Sequence, residues 1–588
     1  MLPGPDNDEV LYDQSRHRSE SISLTSRGQE LVMIDHSLGH TCWPLDDPRI
    51  IALVSQAGFL TCSKLKWMKL DWALLNALMD RWRPETNTFH LRVGETTITL
   101  QDVAVILGLR IDGPCITGTD RHVWRDVCDN LLGISPESLP GGYIRLKWLK
   151  ESFGNPLPQD APEVMIQQHA RAYIMHMIGT LLFPDSSKHK VHLRWLPLIE
   201  DFDMCGTLSW GSAVLAYLYR EMSKVALMQN KELKGCLTLL QVWAWERLVL
   251  KPRLCEIREL DGHIPLGCRW NVTKAYDETP ARQLDFYRGE LDRMKIFQFE
   301  WQPYTPHLPR LPLICMEGHG IWRARVPLVC FEIVEMHVPD RVFRQFGLAQ
   351  HAPQYVEKIE RKATKGGHQI DWRRTHQSYI ARWNDRHQLI VDPLYPPMEE
   401  VDYIKWYWGI TRRWIITQTT PPVDEIEIRS QQSRYVPRGV DERRWIDAMD
   451  DVEGLANEGI VTATGDSVHV SILHRIVARV RKAFQQTYED RHDGREQVDL
   501  DDTLYVRRRR RGRPCTHDDE AGPSQQAGPS QQAGPSQPHT QPESEHIQAQ
   551  VEGGRRRSQR VRRERQRGRV DFLFVSFSTK IYIVVWIY

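Results

Sequence analysis

The segment from Leu233 to Leu250, LKGCLTLLQVWAWERLVL, is apolar on nearly every side of a helix. A helix of this kind is stable inside a large hydrophobic core or across a membrane. Its polar residues Gln241, Glu246 and Arg247 would be costly in a bilayer. The segment is therefore predicted to be a core helix, and the chain must supply a domain large enough to enclose it.

Such a domain is predicted for residues 31–417. This part is dense in Trp, Leu and Val, and the chain of 588 residues holds 20 tryptophans, whose large side chains fill cores. Most of its segments have helical spacing, as between Leu208 and Met228, where apolar residues recur every three or four positions. The predicted fold class is mainly α, with a polar, disordered segment at residues 1–30 before it.

One β-hairpin is predicted within the helical body. Residues 89–93 and 96–100 alternate between apolar and polar, and Gly94-Glu95 between them fits a two-residue turn. Thr99 and Asp102 then have the spacing of a capping box. A helix is expected to begin there and to end at Gly108.

Composition changes after residue 417. Residues 418–490 are mixed, with an amphipathic helix predicted between Val470 and Phe484. Residues 491–570 form a low-complexity basic tail, which is predicted to be disordered because its Ala-Gly-Pro-Ser-Gln repeats bury too little apolar surface. Residues 571–588 are apolar and are interpreted as a gene-model artefact. A C-terminal membrane anchor is the alternative, weakened by the short length and by Lys580.

The sequence carries no recognised catalytic motif. It has no phosphate-binding Gly-rich loop, no His-Glu-x-x-His and no Cys-x-x-Cys, so no enzyme, cofactor or metal site is predicted. Residues 200–203 hold three carboxylates and are interpreted as a solvated acidic turn before a helix, with a divalent-metal site as the alternative. The 11 cysteines are interpreted as mostly buried, reduced thiols of an intracellular protein, for example Cys236 and Cys330.

Two aromatic segments could contact nucleic acid or belong to the core. Residues 368–387 mix Trp, Tyr, Arg and His, and residues 403–409 read YIKWYWG. Stacking aromatic rings and cations suit single-stranded nucleic acid. However, Trp372, Tyr379 and Trp383 share one helix face, so the core interpretation is favoured for both segments.

The basic tail offers two hypotheses. Between Tyr505 and Val570 it holds 15 arginines and 7 acidic residues, whereas the whole chain has a net charge of only +1. Arg511, Gly512, Arg513 and Pro514 resemble the core of an AT-hook, in which arginines enter a narrow A·T minor groove. The competing hypothesis, which can hold together with the first, is a bipartite nuclear-import sequence. Its residues are Arg507, Arg508, Arg509, Arg510, Arg555, Arg556, Arg557, Arg562 and Arg563.

Several separated motifs of the body resemble the plant mobile domain, a family also labelled aminotransferase-like. They are residues 82–91 (WRPETNTFHL), 97–109 (TITLQDVAVILGL), 210–220 (WGSAVLAYLYR), 239–247 (LLQVWAWER), 338–348 (VPDRVFRQFGL) and 403–413. Family members occur in plant transposable elements and as host genes, some fused to a phosphatase. The resemblance implies a nuclear role in meristem maintenance, transposon silencing and genome integrity, and it implies no catalytic residues. No lysine stands in a motif for pyridoxal chemistry.

The sequence therefore predicts a non-enzymatic nuclear protein that acts through nuclear protein partners. The resemblance adds a phosphatase-like protein as one such partner, and the tail adds a weak contact with A·T-rich DNA. A membrane partner is not expected. Two alternatives stay open: an accessory protein encoded by a transposable element, and an enzyme with an unrecognised site.

Overall fold

A computed structural model gives the fold and describes residues 3–416 with short gaps, Ile476, and the backbone of residues 570–577 and 580–587. The gaps are residues 26–29, 37–41, 188, 249, 251–259, 272–283, 296–297, 360–369 and 394–399. The predicted helix between Val470 and Phe484 thus lies outside the described residues, apart from Ile476.

Helices dominate the described body, so the predicted fold class is confirmed. They are α1 Arg18–Thr25, α2 Pro48–Gln56, α3 Trp72–Met79, α4 Leu100–Leu107, α5 Trp124–Leu132, α6 Leu146–Phe153, α7 Glu163–Met177, α8 Phe202–Thr207, α9 Trp210–Ala226, α10 Leu237–Arg247, α11 Leu284–Asp292, α12 Leu313–Met316, α13 Trp372–Thr375, α14 Gln377–Asn384 and α15 Glu400–Ile410.

The strands form small separate sheets, and β10 and β11 below are the only two of them that lie after residue 416 in the part of the chain that the structure describes. They are β1 Val32–Met33, β2 Trp82–Arg83, β3 Thr88–Leu91, β4 Gly94–Thr96, β5 Tyr143–Arg145, β6 Lys190–His192, β7 Glu232–Leu233, β8 Val326–Cys330, β9 Ile333–His337, β10 Val570–Phe577 and β11 Lys580–Ile587. The sheets are β1-β7, β2-β3-β4, β5-β6, β8-β9 and β10-β11, and only β1-β7 is parallel.

The core helix predicted from the sequence is α10. Every residue from Leu237 to Arg247 is buried, and the helix packs against α4 in the main hydrophobic cluster. Among the described residues, no helix is both long and apolar enough to cross a membrane. Gln241 has a structural role, because its amide accepts from Asp71 N at 2.5 Å and donates to Lys69 O at 2.9 Å. This pair of bonds fixes the loop that leads into α3.

The predicted hairpin is present, but the turn lies two residues earlier in the chain than predicted. Leu91 pairs with Gly94, so Arg92 and Val93 form the turn, and Gly94 begins β4. The reason is tertiary: the Arg344 guanidinium donates to Val93 O at 2.8 Å and lies over the turn. A Cβ at Gly94, which has a φ of +131°, would come within 1.8 Å of that guanidinium. The sequence also missed β2, which adds a third strand.

The helix predicted after the hairpin is confirmed as α4. Thr99 and Asp102 form a reciprocal capping box, and Gly108 ends the helix in the left-handed conformation with φ of +65°. These local rules require only neighbouring residues, which is why the sequence was sufficient.

The N-terminal segment differs from the predicted disorder over residues 3–25. Leu11, Ile22 and His17 are fully buried, and the His17 ring bonds to Trp82 O at 2.7 Å. Arg18 pairs with Asp80 at 2.8 Å. The segment is polar in sequence, but it becomes ordered because its few apolar side chains and its charges find partners on the body.

The apolar C-terminal residues form a two-stranded antiparallel hairpin, β10-β11, with Val570 opposite Ile587. This hairpin lies in a unit of its own, Asp518–Tyr588. The gene-model interpretation of residues 571–588 stays a prediction.

Candidate functional site

The tail residues predicted to bind DNA or to direct nuclear import lie outside the described residues. These are Arg511–Pro514 and the arginines within residues 507–510 and 555–563. Both hypotheses therefore stay predictions, and a candidate site must be sought in the body.

The two aromatic segments belong to the core, as favoured from the sequence. Trp372 and Trp383 are buried, whereas Arg373 and Arg374 face solvent. The predicted single helix is divided into α13 and α14 at His376. Tyr403 and Tyr407 are also fully buried on α15, so their rings offer no open stacking platform. Neither segment is therefore a candidate site.

The motif-bearing hairpin instead encloses a set of charged side chains. The Arg341 guanidinium donates two hydrogen bonds to the Glu95 carboxylate, at 2.6 and 2.7 Å. The Thr88 hydroxyl donates a third at 2.9 Å. The His90 ring lies 3.6 Å from the same carboxylate, and its other nitrogen contacts Thr411 at 2.9 Å. We call Thr88, His90, Glu95 and Arg341 the hairpin charge cluster; each is buried.

Burial and charge set the protonation states in this cluster. Burial by itself would raise the pKa of Glu95, but the Arg341 guanidinium and the nearby His90 hold it at about 2. Burial lowers the pKa of His90 to about 4, despite the adjacent carboxylate. At neutral pH the cluster is a carboxylate–guanidinium pair beside a neutral imidazole.

A second ionic group joins α4 to α10. Arg247 binds Asp102 through two nitrogens at 2.8 and 3.1 Å, and the Tyr304 hydroxyl donates to the same oxygen at 2.6 Å. The other oxygen of Asp102 accepts from Thr99 N at 2.6 Å in the capping box. Asp102 therefore serves the helix cap and the core ion pair together.

Further buried or largely buried ion pairs surround these two groups, and two of the residues involved, Arg220 and Glu246, lie in the motifs described above. The pairs are Arg220–Glu335 at 2.5 Å, Arg288–Asp80 at 2.8 Å, Arg269–Glu246 at 2.5 Å and Arg81–Asp292. Three of the pairs join residues more than 100 positions apart in sequence, and Arg269–Glu246 joins residues 23 apart. The ion pairs therefore hold separate elements of the body together. This is a structural function, because the charged atoms bond to one another.

One cysteine–histidine contact has the geometry of a nucleophile and its base. Cys42 Sγ lies 3.2 Å from His176 Nδ1. However, burial raises the pKa of Cys42 to about 12, so the thiol stays protonated at neutral pH and is a poor nucleophile. The contact resembles the start of a catalytic dyad but lacks the activated sulfur.

The acidic turn at residues 200–203 is structural, as interpreted from the sequence. Asp201 caps α8 by accepting from Met204 N at 3.0 Å, and Asp203 accepts from Gln56 at 2.7 Å. Within the described ranges, no group of three or more His, Cys, Asp or Glu residues is placed to hold a metal ion.

The remaining candidate is a cleft of about 160 Å³ beside the turn that joins β2 to β3. Pro84 and Glu85 occupy the middle of this turn, which Thr86 N closes by donating to Arg83 O at 3.2 Å. The next residue, Asn87, has φ of +51° and reaches Glu335 and Met336 O on β9. We call this space the turn cleft.

The other walls of the turn cleft come from distant parts of the chain. Tyr12, Asp13 and Arg16 contribute from the N-terminal segment, Gln229 follows α9, and residues 356–359 form the outer wall. The Lys358 ammonium lies 4.5 Å from the centre of the Tyr12 ring, in a cation–π contact.

Glu85 is the least satisfied acid in this cleft. Its Oε1 accepts from Asp13 N at 2.9 Å, whereas Oε2 is buried and has no hydrogen-bond donor among the described residues. Burial raises the pKa of Glu85, against the lowering effect of the Arg83 charge. The sequence by itself does not predict this site. The one indication was a Glu within a turn of an otherwise structural motif, which does not reveal burial.

Comparison with known proteins agrees with the motifs. The family model for the plant mobile domain matches residues 58–408. In Arabidopsis thaliana, the chain is 43% identical to Serine/threonine-protein phosphatase 7 long form homolog, over 70% of this chain and 32% of that protein. It is 36% identical to Protein MAIN-LIKE 2, over 70% of this chain and 62% of that protein.

A third relative is matched over most of its length. Protein MAINTENANCE OF MERISTEMS, also from Arabidopsis thaliana, is 33% identical over 72% of this chain and 86% of that protein. By contrast, the chain spans about a third of the phosphatase-named relative. No solved structure matches the chain.

Proposed function

The chain belongs to the plant mobile domain family, and from this premise we propose that it is a non-enzymatic nuclear protein that acts through protein partners. The observation that carries the proposal is the match over 86% of Protein MAINTENANCE OF MERISTEMS, whose name states the process. The proposed processes are meristem maintenance, transposon silencing and genome integrity.

The arrangement of charges supports a role without catalysis. Several ionisable side chains of the motifs bond to other charged side chains inside the body, as Arg341 does to Glu95 and Asp102 to Arg247. Catalytic acids and bases must reach a substrate. Since the region shared with the phosphatase-named relative is about a third of that protein, its named activity is not transferred to this chain.

The nuclear part of the proposal rests on the arginines of the tail. The test is imaging of an N-terminally tagged full chain beside one with alanine at residues 507–510, 555–557, 562 and 563. We expect the full chain in the nucleus and the variant largely outside it. Equal nuclear accumulation of both would contradict the import hypothesis, and exclusion of the full chain would contradict the nuclear proposal.

Contact with A·T-rich DNA is proposed for the segment Arg511–Pro514. We expect the full chain to shift an A·T-rich duplex at lower concentration than a G·C-rich duplex of equal length. Replacing Arg511 and Arg513 with alanine removes that preference, because the arginines that enter the minor groove are lost. Equal affinity for both duplexes would contradict the hypothesis.

The alternative of a transposon-encoded accessory protein shares this chemistry and differs in genomic context. Flanking terminal repeats or an adjacent transposase reading frame would favour it over a host gene.

A further inference from the structure

The turn cleft contains one acidic group that the fold leaves incompletely paired. Its lining includes the carboxylates of Asp13, Glu85, Glu335 and Glu357. Three of these have an arginine partner: Asp13 pairs with Arg16, Glu335 with Arg220, and Glu357 with Arg382. Glu85 makes no ion pair with a described cation, although its side chain is only 6% exposed.

The free hydrogen-bonding capacity of Glu85 is confined to one atom. Oε1 is used by the backbone of Asp13, and Oε2 has no described donor. Arg83, two residues earlier, directs Nη1 to Gln14 at 2.9 Å and lies beyond ion-pair distance of Glu85. A buried carboxylate oxygen without a donor carries a desolvation penalty, and a ligand that donates a hydrogen bond relieves it.

The same cleft already accommodates a cation on an aromatic face. Lys358 Nζ lies over the Tyr12 ring at 4.5 Å, and Lys358 makes no ion pair with a described carboxylate. Lys358 belongs to the outer wall at residues 356–359, which contains no helix or strand. An aromatic face beside a carboxylate is the combination that recognises ammonium and guanidinium groups.

The size of the cleft limits what can enter. A cleft of about 160 Å³ suits the end of one long side chain. The lining holds four carboxylates against the two cations Arg16 and Lys358, and this excess of negative charge disfavours phosphate and therefore nucleic acid.

We propose that the turn cleft binds a lysine or arginine side chain of a basic protein segment, with Glu85 as its carboxylate partner and the Tyr12 ring as its aromatic face. The incoming side chain takes the place of Lys358. This inference rests on the proposed function in one respect, since it describes how a protein partner would be recognised.

The test is calorimetric titration of the purified full chain with a tri-arginine peptide at low salt, beside a tri-serine peptide. We expect saturable binding of tri-arginine alone. Glu85→Gln keeps the shape and the bond to Asp13 N but removes the charge, so it weakens binding about tenfold. Lys358→Ala frees the aromatic face and strengthens binding several-fold. Glu137→Gln, an exposed acid away from the cleft, is the matched control and leaves binding unchanged.

The opposite signs expected for the two cleft variants make the test specific. Equal binding by the wild type and Glu85→Gln, or no binding by the wild type, would overturn the proposal. Weaker binding by Lys358→Ala would overturn the displacement of Lys358. If Glu85→Gln unfolds at a lower temperature than wild type, binding is measured with Tyr12→Leu instead, which removes the aromatic face. Unchanged binding of tri-arginine by Tyr12→Leu would overturn the proposed site. Cellular localisation is measured separately, so a non-nuclear chain that binds tri-arginine would contradict the proposed function alone.

Discussion

The two ends of strand β3 lie next to buried glutamates that are partnered very differently. Glu95, on β4, receives two bonds from Arg341 and one from Thr88. Glu85, in the turn before β3, receives one backbone bond and keeps one oxygen without a described donor. The same side chain, buried to a similar extent, therefore contributes to the fold at one end and remains available to a ligand at the other. Complete pairing, rather than burial, distinguishes the two roles.

The largest expected effect on stability comes from removing the arginine partner of Glu95. Arg341→Met leaves the Glu95 carboxylate buried without its counter-ion, and we expect a loss of about 3–5 kcal/mol in the free energy of unfolding. Chemical denaturation followed by tryptophan fluorescence measures it. The double variant Arg341→Met, Glu95→Met replaces both charges with apolar groups and is expected to recover most of the loss. A small effect of the single variant would mean that the pair is not essential to the fold.

Acidic pH is expected to lower the free energy of unfolding by a comparable amount, because it protonates Glu95 in the same ion pair. The pKa of Glu95 is about 2 in the folded chain and about 4.3 when unfolded, a difference worth about 3 kcal/mol. Because the folded pKa is the lower one, this stability is present above about pH 4.3 and is lost as the pH falls towards 2. Denaturation curves across that range measure it, and Glu95→Gln should remove most of this pH dependence. An unchanged slope in the variant would show that Glu95 does not carry it.

A smaller effect is expected at the helix that follows the hairpin. Thr99→Ala removes the cap hydroxyl of α4, and we expect a loss of about 1 kcal/mol. Thr99→Ser keeps the hydroxyl and is the matched control in the same denaturation experiment. If both variants lose equal stability, packing of the Thr99 methyl group, and not capping, is responsible.

The smallest effect, and one of opposite sign, is expected at the incompletely paired end. Burial raises the pKa of Glu85, so ionisation of this side chain opposes folding. The free energy of unfolding of the wild type therefore falls as the pH rises through the folded pKa of Glu85. The melting temperature of Glu85→Gln minus that of wild type should therefore be larger at pH 7 than at pH 4. Thermal melting at the two pH values tests this. A variant that is less stable at pH 7 would show that Glu85 is fully paired, and the contrast with Glu95 would disappear.

A feature of this fold could be predicted from the sequence where the residues that interact are close together in the chain. The cap from Thr99 to Asp102 and the buried helix α10 were predicted because neighbouring residues carry the pattern. The turn at Arg92-Val93 was missed because Arg344, about 250 residues later, lies over it. Order in residues 3–25 was missed for the same reason, since Arg18 finds Asp80 on the body.

By itself, the sequence determined the helical class, the family motifs, the tryptophan-rich core and the contrast between body and tail, because periodicity, caps and composition act locally. Only the tertiary structure decided which charges pair and which do not. Glu85 and Glu95 are ten residues apart and look alike in the sequence, but the partner of Glu95 is 246 residues away. Folding brings Arg341 to one glutamate and leaves the other at the edge of a cleft, and that placement depends on the packing of the whole body.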